Sequence, residues 1–142
     1  MKILHVLDHS IPLQSGYTFR SRSILEHQRA MGWETVHLTS AKHQVDPPPP
    51  PLEEVDGLSF YRTPLITSME KIPVANQLGI VRSLEKRLAE VVAIEKPDLI
   101  HAHSPCLNGV AALRVGRRAK LPVVYECRAF WEDAAVDHGT SS

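Results

Sequence analysis

Three stretches of this sequence concentrate side chains able to bind anions, move protons or hold hydroxyl groups. The first reads Asp8-His9-Ser10-Ile11-Pro12-Leu13-Gln14-Ser15-Gly16-Tyr17. It matches neither the GxGxxG fingerprint nor the GxxxxGK[ST] phosphate loop. A lone glycine just ahead of a helix can still let an anion approach backbone N–H groups, helped by the helix dipole and by Arg20 or Arg22. The spacing supports equally well a plainer role, in which Ser15 caps the helix and Gly16 relaxes the turn. The second stretch is Asp98-Leu99-Ile100-His101-Ala102-His103-Ser104-Pro105. In a strand His101 and His103 face the same side, and His103 sits where the chain leaves the sheet. A histidine there can hydrogen-bond a sugar hydroxyl or exchange a proton near neutral pH. His101 reads as a half-buried ring satisfied by a neighbour. A metal would need His9, Cys106 or Asp8 to join the pair, and no third ligand stands at diagnostic spacing, so no metal is expected. The third stretch is Glu126-Cys127-Arg128-Ala129-Phe130-Trp131-Glu132-Asp133. Acids, an arginine and aromatic rings after a strand suit a carbohydrate or a domain–domain surface equally.

Short apolar runs alternate with helix-patterned stretches, and that alternation supplies the elements that must position these groups. Lys2–Leu7 is almost wholly apolar, as a central parallel strand buried on both faces would be. Thr18–Met31 carries the spacing of an amphipathic helix, and Gly32 suits its C-terminal cap. Glu34–Thr39 is a second strand. Pro47–Pro51 can form neither helix nor inner strand and reads as a stiff surface loop. Leu58–Arg62, after the Asp56-Gly57 turn signal, is a third strand. Ile66–Asn76 looks irregular, and Gln77–Glu95 is helical until Lys96-Pro97 stops it. Asp98–Ala102 is a fourth strand, Leu107–Arg118 a helix rich in small residues, and Leu121–Glu126 a fifth strand. Cys106 opens that last helix without an evident base beside it and reads as a structural thiol.

The pattern predicts an α/β fold, a doubly wound, Rossmann-like parallel sheet in strand order 3-2-1-4-5. In such sheets ligands sit at the carboxyl ends of the strands where the order reverses, here between strands 1 and 4. The loops at that point are His9–Tyr17 and His103–Leu107, the two richest in functional side chains.

Composition narrows the function classes. Lys+Arg and Asp+Glu both number 16 in 142 residues, which removes the electrostatic case for non-specific binding to nucleic acid. No apolar run approaches the roughly 20 residues of a membrane span. Two cysteines make no disulfide framework and suit a cytoplasmic location.

Taken together, Lys2-Ile3-Leu4-His5-Val6-Leu7, Ser15-Gly16-Tyr17-Thr18, Pro97-Asp98-Leu99-Ile100-His101-Ala102-His103 and Pro122-Val123-Val124-Tyr125-Glu126 resemble the N-terminal half of retaining GT-B glycosyltransferases of family 4, or group 1. His9-Ser10-Ile11-Pro12 with Ser15-Gly16-Tyr17-Thr18, and Arg128-Ala129-Phe130-Trp131-Glu132-Asp133, look like the subgroup associated with bacterial exosortase and exopolysaccharide loci. The resemblance implies an enzyme that moves a sugar from a nucleotide-sugar donor to a glycan or lipid-linked glycan. In that picture Gly16 and Ser15 hold the donor phosphate, and His103 lies beside the transferred sugar. His9, Tyr17, Arg128 and Glu132 hold the acceptor. No cofactor or metal is implied, and a cytoplasmic location at the inner face of the membrane is. Residues 1–142 would then form a single acceptor-side domain, inactive alone and prone to self-association, because the family's nucleotide-binding domain with its E-x7-E motif is not in this sequence. Glu26 and Glu34 show that spacing, but they fall in a helix and at a strand start. A stand-alone flavodoxin- or receiver-like binding module is the alternative. Against a receiver, Asp8 lacks an acidic neighbour and no lysine follows Glu126.

Overall fold

The computed structural model describes residues 1–43, 48–64 and 73–127. Its elements run β1 (Lys2–Leu7), α1 (Gly16–Ala30), β2 (Glu34–Thr39), β3 (Leu52–Val55), β4 (Leu58–Arg62), α2 (Pro73–Glu95), β5 (Leu99–His103), α3 (Cys106–Ala119) and β6 (Val123–Glu126). They build one six-stranded sheet in the order β3-β4-β2-β1-β5-β6. All neighbouring pairs are parallel except β3 with β4. The doubly wound order expected from the sequence is therefore present, with the reversal between β1 and β5.

Strand alternation divides the sheet into two chemically different faces. Leu4, Val6, Val36, Leu38, Ile100 and Ala102 pack against Val81, Leu84, Leu88 and Val91 of α2 and Ala111, Ala112 and Val115 of α3. The opposite face, beside α1, is partly polar. Leu7, Leu25 and Phe60 form a smaller apolar cluster there, and buried His5 and His37 stand at paired register.

The expectation of five strands is corrected to six. Asp56 and Gly57, at φ 51° and 79°, make the tight turn of a hairpin. Its first arm, β3, pairs Glu53 with Phe60 and Leu52 with Tyr61. Four residues with two glutamates gave too little apolar alternation to be read as a strand. Helix α2 begins at Pro73, inside the stretch expected to be irregular; proline is well suited to the first helical position. Strand β5 reaches His103, and β6 begins only at Val123. Gly32 follows the capping residue Met31 at φ 88°, as its sequence position suggested.

Helix α3 owes its small residues to close approach. A Cβ on Gly116 would lie 2.5 Å from Val123 Cγ2 and 3.1 Å from the Leu121 carbonyl oxygen. Gly116→Ala is expected to destabilise the fold by about 1–3 kcal/mol, since the overpacking exceeds alanine's gain in helix propensity. Gly109→Ala should cost less, because its Cβ meets only the Tyr125 ring, which is partly exposed and can turn. Urea midpoints of the two variants check the ranking; equal midpoints would contradict it.

Candidate functional site

The loops after β1 and β5 meet above the point where the strand order reverses, and Tyr17 joins them. Its hydroxyl donates to the Ser104 carbonyl at 2.7 Å and accepts from the Asp8 N–H at 3.0 Å. Its ring stacks on His9, with centroids 4.6 Å apart. His9 is held from both sides, Nδ1 at 2.8 Å from Asp8 Oδ2 and Nε2 at 3.1 Å from Ser15 Oγ. Lys42 Nζ lies 3.8 Å from the other Asp8 oxygen. The expected acceptor residues His9 and Tyr17 are thus brought together with Ser15, each half-buried. Arg128 and Glu132, with the rest of 128–142, lie outside the described residues.

Ser15 does cap α1. Its side chain accepts from the Thr18 N–H at 3.1 Å, and Thr18 Oγ1 accepts in return from the Ser15 N–H at 3.0 Å. Gly16, the first helical residue, is exposed, and a Cβ there would meet nothing within 4 Å. The helix start is therefore open to an incoming group. Arg22 is engaged elsewhere, with Glu26 and Asp56. Arg20 stays near the reversal point, 3.9 Å from Glu126 Oε1.

The histidines form a row that only the strand register reveals. His5 pairs with His37 on one side and His101 on the other. His103 stacks on His101, with centroids 4.2 Å apart and planes 8° from parallel. His101 is half-buried, as expected, whereas His103, placed where the chain leaves the sheet, is fully buried. His103 Nε2 lies 2.8 Å from His5 Nδ1, and its Nδ1 lies 3.1 Å from Glu126 Oε2. His5 Nε2 in turn is 2.7 Å from Gln28 Oε1 on α1. His103 is the last residue of β5, and both of its ring nitrogens are engaged by the protein.

One nitrogen each from His5, His101 and His103 lies within 4.8 Å of the others, the spacing of a possible metal ligand set. The partner is His5 rather than the His9, Asp8 or Cys106 considered from the sequence. Zinc takes imidazole nitrogens at about 2.0–2.1 Å in a tetrahedral arrangement. Stacked, nearly parallel rings aim their nitrogens along separate planes, and the 2.8 Å contact between His5 and His103 already has the geometry of a hydrogen bond. These rings as arranged do not converge on an ion.

Two supporting residues had no signal in the sequence. Arg62, at the end of β4, has a buried guanidinium that reaches three other segments of the chain. It donates to Ser10 Oγ at 2.6 Å, the Ile11 carbonyl at 3.0 Å, Thr39 Oγ1 at 3.3 Å and Glu53 Oε1 at 2.8 Å. Burial pulls its pKa down and the Glu53 carboxylate opposes this. His43, 4% exposed, accepts the Ser10 N–H at Nδ1, while its Nε2 has no hydrogen-bond partner. Burial and the Arg62 charge push its pKa down to about 4, so it is neutral at pH 7. Both residues anchor the loop that carries His9, and their contacts are too distant in sequence to show as a motif.

Residues 15–142 match the glycosyl transferase 4-like domain family. The chain is 30% identical over 111 residues to the sulfoquinovosyl transferase of Arabidopsis thaliana, covering 78% of this chain and 19% of that protein. It is similar in structure to sucrose-phosphate synthase from Thermosynechococcus elongatus, with a TM-score of 0.65 at 15% identity, over 99% of this chain and 35% of the synthase. A hydrogenase C-terminal domain from Pyrococcus furiosus is similar too, with a TM-score of 0.62 at 16% identity, over 88% of this chain and 90% of that one. At such identities the two structures speak to the fold alone, and a shared fold carries no chemistry by itself.

Proposed function

We propose, because the chain belongs to the glycosyl transferase 4-like domain family, that it forms the N-terminal, acceptor-side half of a retaining, two-domain GT-B glycosyltransferase. The observation that carries this reading is the family match over residues 15–142, which takes in Ser15, Gly16 and Tyr17 at the end of the first loop and the whole of the His103–Leu107 loop. The chain spans 19% of the plant relative's length and 35% of the synthase's, which leaves room for a nucleotide-binding domain elsewhere. Such a domain would hold the nucleotide of a nucleotide-sugar donor. In this chain Gly16 and Ser15 receive the donor's phosphate, His103 lies beside the transferred sugar, and His9, Tyr17, Arg128 and Glu132 hold a glycan or lipid-linked glycan. Bacterial exopolysaccharide synthesis at the inner face of the membrane is the setting we favour, on the strength of the short subgroup motifs. No helix among the described residues is long and apolar enough to cross a membrane.

Gly16 offers the cleaner test, because its side-chain space is empty and folding does not depend on it. In the full-length protein, Gly16→Leu should leave the urea midpoint near wild type and lower turnover with a nucleotide sugar by about 10²-fold, by blocking approach to the backbone N–H groups. His103→Ala should lower turnover on a similar scale, while His101→Ala should act on stability more than on rate. The isolated chain should transfer no sugar. Wild-type turnover in both Gly16→Leu and His103→Ala would remove the site from these loops.

A further inference from the structure

Asp8, His9 and Ser15 stand in a line joined by hydrogen bonds. Asp8 Oδ2 is 2.8 Å from His9 Nδ1, and His9 Nε2 is 3.1 Å from Ser15 Oγ. A carboxylate only accepts, so His9 Nδ1 donates to it, and a neutral His9 then accepts at Nε2. The hydrogen of the second contact therefore comes from the Ser15 hydroxyl. We propose that Ser15 is an activated nucleophile toward activated acyl esters, with His9 as its general base and Asp8 as the positioning residue for that ring.

The geometry meets the demands of serine chemistry. The base lies within hydrogen-bond reach of the nucleophile, and a third group orients the base. The ring is gripped on its face as well, because Tyr17 stacks on it with planes 28° from parallel. The Asp8 carboxylate is nine-tenths buried, and its other oxygen has no hydrogen-bond partner among the described residues. Lys42 Nζ, 3.8 Å from that oxygen, is an ion-pair neighbour beyond hydrogen-bond range. No hydrogen bond there competes with His9 for the carboxylate.

Capping does not use up Ser15. Its Oγ accepts from the Thr18 N–H at 3.1 Å, which leaves the O–H for His9 and a second lone pair for attack. Thr18 Oγ1 also accepts from the Ser15 N–H at 3.0 Å and donates to the Ser15 carbonyl at 2.9 Å, so the nucleophile sits on a braced turn. Ser15 is half-buried and Gly16 beside it is exposed, which leaves a way in from solvent. As the first residue of α1, Gly16 has no carbonyl within the helix to take its N–H, and no side chain covers it. An N–H from the residue after a nucleophilic serine is a recurrent donor to the oxygen of a tetrahedral intermediate.

Each step balances on these groups. Ser15 Oγ bonds to the ester's carbonyl carbon while its proton passes to His9 Nε2. The bond from that carbon to the alkoxide breaks, and the leaving alkoxide takes the proton. Water then attacks the acyl-serine and loses a proton to His9, which returns it to Ser15 Oγ as the carboxylic acid departs. This chemistry goes beyond sugar transfer and needs neither a nucleotide sugar nor a second domain.

Diisopropyl fluorophosphate phosphorylates activated serines with loss of fluoride, and it can be applied to the 142-residue chain itself. Peptide mass mapping should find the adduct on Ser15. His9→Ala should slow labelling by about 10²-fold or more. Asp8→Asn should lower the limiting rate of labelling on a similar scale, with the half-saturating reagent concentration nearly unchanged. Release of p-nitrophenol from p-nitrophenyl acetate should fall by about 10²-fold in Ser15→Gly, a change that keeps most of the capping. A wild-type chain that takes no label at Ser15 would overturn the proposal, as would equal labelling rates in wild type and His9→Ala. Either result would leave the three side chains a brace for the loop. Sugar transfer by Gly16→Leu and His103→Ala is a separate readout, so the sugar-transfer reading can fail while the Ser15 label stands, and the reverse.

Discussion

Acidification from pH 6.5 to about 4.5 is expected to lower the folding equilibrium constant by up to about a hundredfold per pH unit. Two buried histidines cause this. His37 is fully buried: Nδ1 lies 2.8 Å from the Ser59 carbonyl and Nε2 lies 2.8 Å from Thr35 Oγ1. Burial, reinforced by the Arg29 and Arg62 charges, pushes its pKa down to about 4 against the Ser59 carbonyl's opposing pull. His43 is held at about 4 as well, chiefly by burial. Each ring is neutral in the folded chain and titrates near 6.5 in the unfolded one. The stability they contribute is therefore complete above pH 6.5 and lost as the pH falls toward 4. Each group removes about tenfold per pH unit within that window, and the pair about a hundredfold. Urea titrations across this range should give a slope of nearly two protons. His37→Gln, whose amide can donate to Ser59 and accept from Thr35, should reduce it to one. An unchanged slope in that variant would show that His37 is already charged when folded.

Arg62→Met should be the most damaging conservative-sized substitution among the described residues, costing about 3 kcal/mol or more. The guanidinium side chain is 2% exposed and ties β4 to the loop after β1, to β2 and to β3, besides lying 4.8 Å above the Phe60 ring. Methionine fills much of the volume and replaces none of the donors. Glu53 is then left without its cation, and Ser10 and the Ile11 carbonyl lose theirs. Glu53 is 24% exposed and can recruit water, which keeps the cost at the lower end of the range for broken buried pairs. Arg62→Lys should fall between, since one ammonium cannot replace a planar fork reaching several acceptors. Equilibrium urea unfolding decides the order. A wild-type midpoint for Arg62→Met would mean the clamp contributes nothing. The two effects are coupled, because the Arg62 charge helps keep both histidines neutral. Its removal should flatten the acid slope as well as lower the midpoint.

What the sequence disclosed and what it hid follow from range. The parallel strands were legible because each is a short apolar run bounded by turn signals, and their order follows from βαβ connection rules. The reversal point, and with it the two loops, came from that order. His101 and His103 share a face by simple alternation. The identity of their neighbour did not emerge, because His5 meets them through strand register, 98 residues from His103. Arg62 escaped for the same reason: its acceptors come from segments that carry no common motif. The start of α2 at Pro73 was available in principle from proline's preference for the first helical turn, and the apolar spacing further along drew attention away from it. Strand β3 was hidden by its own glutamates, one of which is the partner of Arg62.

Strand β3 is also the border of the sheet, and a border strand is where one copy of a chain can stitch itself to another. Pro48, Pro49, Pro50 and Pro51 lead directly into it. None has an N–H to offer an incoming strand, and the Pro51 carbonyl is already taken by the Arg62 N–H at 2.8 Å and by Arg87 Nη2 at 2.9 Å. The strand itself is only four residues long and carries adjacent carboxylates at Glu53 and Glu54, which repel a second copy laid alongside. A tract that looked like inert spacer thus serves solubility. It keeps this border closed to cross-chain sheet extension during synthesis and at high local concentration, when the rest of the sheet is still assembling.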